Sequence, residues 1–157
     1  MQSLILTTIE KERLIECLNK RVFGISNLMI KRLGQKVFSI NLGDYIYIKT
    51  KKHESIITGP FIIVEKVNKL KILQNKGVWY KIDKNYVDRD LPWWIVEGFN
   101  WLIYFDYKNN ETLSIEEKYL IDNNIFIKDY GILDQITEVK LFNYINTHGS
   151  IFRIKNL

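Results

Sequence analysis

Cysteine is almost missing from this chain. Cys17 stands alone, so no intrachain disulfide can form, which fits a reducing compartment. Histidine is nearly as scarce, with only His53 and His148. A metal site needs a cluster of His, Cys or carboxylate ligands at short fixed spacings. None of the three residues has such neighbours, so no metal and no cofactor is expected. His53 is read as a solvated loop residue and His148 as a contact at a helix C-terminus. No Gly-x-x-x-x-Gly-Lys-Ser/Thr loop and no Gly-x-Gly-x-x-Gly turn is present. No local pattern supports a Ser-His-Asp or Cys-His pair. Asp83, Asp88 and Asp90 alternate with Lys84 and Arg89, as in a solvated loop. The chain is therefore read as a binder and not an enzyme. No apolar run of about 18 residues or of signal-peptide type is found, so the expectation is a soluble, cytoplasmic protein with no membrane partner.

What is present is a globular composition, 46% hydrophobic and 26% charged, against disorder. The 157 residues are expected to form a single domain (1–157) with a core of its own. The net charge of +5 leans towards a polyanionic partner. Four Trp, nine Tyr and eight Phe are enough to fill a core and still leave a surface site.

The stretch around which the rest is arranged is Asn41 to Lys66. Gly43-Asp44 suits a tight turn. Tyr45 to Thr50 alternates, with Ile46 and Ile48 on one side and Tyr45, Tyr47 and Lys49 on the other. Lys51 to Ser55 is a hairpin tip, and Ile56 to Val64 is the return strand. Pro60 is expected at an edge or a bulge. This hairpin is read as the centre of a small curved sheet with an aromatic and basic face left over, although Tyr45 and Tyr47 also suit packing under a helix.

Before it, Ser3 to Thr7 reads as a strand, and Thr7-Thr8-Ile9-Glu10 as a capping box opening a helix from Ile9 to Asn19. Leu14, Ile15 and Leu18 lie on its inner face with Cys17 beside them. Gly24 in Val22 to Ile25 marks a close approach or bend. Leu28 to Leu33 is a short helix or irregular turn ended by Gly34. After the hairpin, Gly77 to Ile82 is a strand candidate. Leu91 to Tyr107 is a strand region apolar on both faces, which predicts cover on both sides. Ser114 to Asn123 reads as a helix with Ser114 as cap, Ile125 to Lys128 as a strand, and Thr137 to Asn146 as a helix capped by Thr137. Ile151 to Ile154 closes the chain as an edge strand.

This ordered set resembles the EVE domain family, within the PUA-like superfamily that also holds the YTH and ASCH domains. The resemblance covers nearly the whole chain. It is carried by Leu4-Ile5-Leu6-Thr7-Thr8 before a helix and by Phe23-Gly24-Ile25 where the family has a Trp-Gly-Val-like stretch. It is carried further by the Asn41-Leu42-Gly43-Asp44 turn, by Gly59 to Val64, by Leu91-Pro92-Trp93-Trp94, and by Leu120 to Ile145. Phe23 replaces the family's Trp, Pro60 follows Gly59, and the usual Trp-Pro-Asp-like stretch is not evident.

The resemblance implies an α+β fold: a PUA-like small curved β-barrel with helices packed on it. It also implies a concave pocket that takes a modified base flipped from DNA or RNA onto aromatic side chains. The residues placed there are Thr7, Thr8, Phe23, Ser26, Asn27, Trp79, Trp93 and Trp94. Each has a plainer reading: a helix cap for Thr7 or Thr8, core for Phe23, a turn for Ser26 and Asn27. One of Trp93 and Trp94 would be core, and Trp79 poses the same choice. Two basic runs, Lys31, Arg32 and Lys36, and Lys49, Lys51 and Lys52, are phosphate-binding candidates; a solvated face is the alternative for each. EVE-like domains are often fused to nuclease or motor partners, so a protein partner in trans is a further expectation. The competing reading is a protein-interaction or adaptor domain with a degenerate pocket.

Overall fold

The computed structural model describes residues 2–8, 11–51, 54–64, 72–74, 79–82, 101–107 and 112–152. Among them the central hairpin forms as its alternation predicts. Strands β3 (Tyr45–Thr50) and β4 (Ile56–Ile63) pair antiparallel, Tyr45 opposite Ile62 and Lys49 opposite Ile57. The register shifts between Ile46 and Ile48. Across that shift, on β4, sit Gly59, at φ +143°, and Pro60, joined by a cis peptide. The expected bulge at Pro60 is therefore present.

β1 (Ser3–Thr8) runs parallel to β3 on the other side, Ser3 opposite Tyr45 and Thr8 opposite Thr50. The length of β4 curls the sheet. Its first half, Ile56 to Gly59, pairs with β8 (Thr112–Glu116), and its second half, Phe61 to Ile63, with β7 (Trp101–Tyr107). β7 also pairs with β2 (Val22–Ile25) and with β6 (Trp79–Ile82), which pairs in turn with β5 (Ile72–Gln74). β9 (Gly131–Ile132) adds to β1 and β10 (Ser150–Phe152) to β8. The result is an α+β fold in which a curled mixed sheet forms a half-barrel carrying a few helices.

Successive residues of a strand face opposite sides, and both sides of this sheet are covered. Leu4, Leu6, Ile46, Ile48, Phe61 and Leu102 enter one core. There they meet Leu14, Cys17 and Leu18 of α1 (Lys11–Lys20) and the partly buried Met29, Ile30 and Leu33 of α2 (Asn27–Leu33). Ile5, Tyr47 and Ile57 face the other way, into a second core with Ile125, Ile127, Leu133, Leu141 and Ile145. Leu120 of α3 (Glu117–Asp122) joins that core, and Leu141 and Ile145 come from α4 (Gln135–His148). Trp101 to Phe105 is buried throughout, as a strand apolar on both faces requires.

Several expectations are corrected. The Tyr45-Tyr47-Lys49 face is not left over: Tyr47 and Lys49 are buried, and the Tyr45 ring stacks on Phe142 of α4 at 5.8 Å. Ser114 caps nothing. It lies in β8, where pairing with β4 and β10 claims the backbone, and the helix begins only at Glu117. Ile125 to Lys128 is not a strand but an irregular segment. α4 starts earlier than expected because Asp134, not Thr137, is its cap: its carboxylate accepts from the Thr137 N–H and hydroxyl, each at 2.8 Å. Glu10 of the first capping box and the 83–90 loop lie outside the described residues, as do His53 and Leu91 to Trp94.

Candidate functional site

Two pieces of chain, one helical and one irregular, border an open groove of about 750 Å³. The first begins where Ser26 caps α2, its hydroxyl accepting from the Met29 N–H at 3.2 Å. The helix runs seven residues and stops at Gly34, at φ +81°, a conformation that favours glycine. A 3₁₀ turn, Gln35–Ser39, follows and buries Val37. Anchored through Met29, Ile30, Leu33 and Val37, this piece brings Arg32 and Lys36 to the groove.

The second piece is the segment between α3 and β9. Its side chains alternate. Ile125 and Ile127 are buried in the second core, and Asp129 turns inward to a lysine pair. Phe126, Lys128 and Tyr130 line the groove. Phe126 is 66% exposed. Three cations, Arg32, Lys36 and Lys128, thus share the groove with an aromatic ring at Tyr130 and one carboxylate, Asp134. The Thr137 N–H and hydroxyl hold that carboxyl below the usual range, and its oxygens serve as the helix cap.

A charged cluster lies behind this second piece. Lys49, only 6% exposed, donates to the Ile127 carbonyl at 3.2 Å and to Asp129 Oδ1 at 3.0 Å, and its ammonium also meets Glu117 Oε2. The other Asp129 oxygen takes Lys51 at 2.9 Å, and Lys51 Nζ stands over the Tyr130 ring, 5.3 Å from its centre. The Thr7 hydroxyl donates to the Asp129 carbonyl. Hydrogen bonds from Lys51 and Lys49 hold the Asp129 carboxyl below its ordinary range, and the Asp129 bond raises Lys51.

The predicted site residues therefore part company. Arg32 and Lys36 come together at the groove, and Lys51 sits beside Tyr130. Thr7 and Lys49 lie behind the wall rather than in it. Thr8 is buried at the end of β1. Phe23 belongs to the first core and is 7% exposed. Ser26 is a helix cap and Asn27 opens α2. Lys31 lies in the last turn of α2. Trp79 is on β6, opposite Ile103 of β7. Trp93, Trp94 and Lys52 lie outside the described residues.

Phe126, Lys128 and Tyr130 were not anticipated at a site. Their signal is the two-residue alternation of Ile125 to Tyr130, with Ile, Ile and Asp on one parity and Phe, Lys and Tyr on the other. Among the described residues, no three His, Cys, Asp or Glu side chains come together to hold a metal ion, and no helix is long and apolar enough to cross a membrane. No family model and no curated protein matches the chain.

Proposed function

We propose that the protein is a nucleic-acid-binding module that takes a single-stranded or flipped-out nucleotide into the groove between residues 32–39 and 126–137. The observation that carries this reading is the meeting of Arg32, Lys36 and Lys128 with the Tyr130 ring in one open groove. Phosphate contacts need cations that track a backbone, and a base removed from its stack needs a π-face. The Lys51 ammonium over Tyr130 adds a cation–π contact that fixes the ring. A binder is favoured over an enzyme because the charged groups that do cluster, Lys49, Lys51, Glu117 and Asp129, satisfy one another. The finer reading is an EVE-like, PUA-like domain selective for a modified base in DNA or RNA. It rests on the ordered motifs from Leu4 to Ile145 and on the half-barrel, and it gives Trp79, Trp93 and Trp94 as further stacking candidates.

Labelled DNA and RNA oligonucleotides, with and without methylated or hydroxymethylated bases, are titrated by fluorescence anisotropy at two salt concentrations. Binding that weakens with salt is expected, with Tyr130→Ala costing about 1–3 kcal/mol. Arg32→Ala and Lys128→Ala should each lower the salt slope by about one ion. Preference for one modified base supports the finer reading. No binding at low salt overturns the nucleic-acid reading and favours a protein-interaction module. The exposed Phe126, with Ile136 at 71% and Val139 at 51% exposure on α4, supplies apolar surface for such a role.

A further inference from the structure

The groove wall from Ile125 to Tyr130 belongs to no helix or strand. Such a segment is held by its side chains and whatever grips its backbone, and its position decides where Phe126, Lys128 and Tyr130 stand. Two of its carbonyls are gripped from the sheet. The Ile127 carbonyl accepts from the Lys49 ammonium at 3.2 Å, and the Asp129 carbonyl accepts from the Thr7 hydroxyl. Thr7 and Lys49 are opposite each other in the β1–β3 register. They therefore form one rigid platform on the face of the sheet that the wall covers. Lys49 adds a grip on the Asp129 carboxylate, whose other oxygen places Lys51 over Tyr130.

We infer that Thr7 and Lys49 are positioning residues of the groove: they touch no ligand and hold its aromatic and basic wall in the binding geometry from behind. The inference rests on the proposed function for its binding consequence but not for its structural one. A buried ammonium is costly to desolvate, and an apolar residue would fill this place in the core with less penalty. What an apolar residue cannot do is bond two points of an irregular backbone segment. A wall fixed before the ligand arrives does not have to be ordered during binding.

The test pairs local order with affinity. Thr7→Val removes one hydroxyl at nearly constant shape, Thr7→Ser restores it, and Lys49→Met removes the ammonium. Amide order parameters over residues 126–130 are measured by ¹⁵N relaxation, and oligonucleotide affinity by anisotropy. In Thr7→Val and Lys49→Met the order parameters are expected to fall from about 0.85 towards 0.6, with β3 and β4 unchanged. Affinity should drop about tenfold, the size of one lost hydrogen bond. Thr7→Ser is expected to match the parent on both. If Lys49→Met does not fold, the Thr7 pair decides. Unchanged order at 126–130, or an equal loss across the whole sheet, overturns the inference. A parent protein that binds no oligonucleotide overturns the nucleic-acid reading instead, and the order parameters still decide the positioning role.

Discussion

At the scale of single residues, Gly59 is constrained both by its neighbours and by its backbone. A Cβ there would stand 2.8 Å from Tyr47 Cδ1 and 3.0 Å from the Ile46 carbonyl oxygen, at a φ of +143° that side chains rarely adopt. Tyr47 is fully buried and cannot swing away. Gly59→Ala is expected to cost about 1–3 kcal/mol, read as a lower urea midpoint at unchanged slope. Asp129 gives a pH prediction. Its carboxyl titrates below its ordinary value because Lys51 and Lys49 bond the ionised form. A depressed carboxylate stabilises the fold above its unfolded pKa, and that stability is lost as pH falls through the folded one. The wall should therefore loosen in acid, below the ordinary carboxylate range near 3.8, and Asp129→Asn should remove that part of the acid transition in a pH series of thermal melts. Sequence could not show this role. Lys49 reads as one more surface cation beside Lys51, because the carboxylate that claims it lies 80 residues on.

At the scale of elements, legibility followed the strength of competing local signals. The β3–β4 hairpin was legible because alternation, turn and tip agree over its whole length. Ser114 misled because a Ser-x-x-Glu pattern is a local preference, whereas β8 is held by two neighbours at once. The Thr137 cap was misplaced by one turn because Asp134 offers two acceptor oxygens and Thr137 one. Thr137 became the donor instead. Ser26 is the cap whose loss is easiest to read. Its hydroxyl satisfies the Met29 N–H at the start of a seven-residue helix that carries Arg32 into the groove. Ser26→Ala is expected to cost about 1 kcal/mol, and Ser26→Asp should recover it, as denaturant midpoints will report.

At the scale of the whole molecule, one sheet divides two cores, and each anchors one border of the groove: the first packs Met29, Ile30, Leu33 and Val37, the second Ile125 and Ile127. Alternation points to cover on both faces only for the strand that ends at Tyr107, and leaves one face of the central hairpin aromatic and basic. It could not show that Ile125, Ile127 and Leu133 would join Leu141 and Ile145 beneath the groove, since that packing depends on contacts distant in sequence. The division makes a prediction that separates stability from local order. Leu141 and Leu14 are both fully buried, one in each core. Truncating either to Ala should cost about 2–5 kcal/mol. β1 and β3 feed both cores, so each variant should still unfold in a single transition. Their effects on the groove should differ. Leu141→Ala opens a cavity in the core that packs Ile127, behind the wall that presents Phe126, Lys128 and Tyr130, and should lower the amide order of residues 126–130 and weaken oligonucleotide binding at temperatures where the protein remains folded. Leu14→Ala opens its cavity beneath α1, in the core that anchors α2, and should leave the amide order of residues 126–130 at the parent level. Equal losses of order at 126–130 in the two variants at matched stability would show that the sheet does not insulate this wall from the first core.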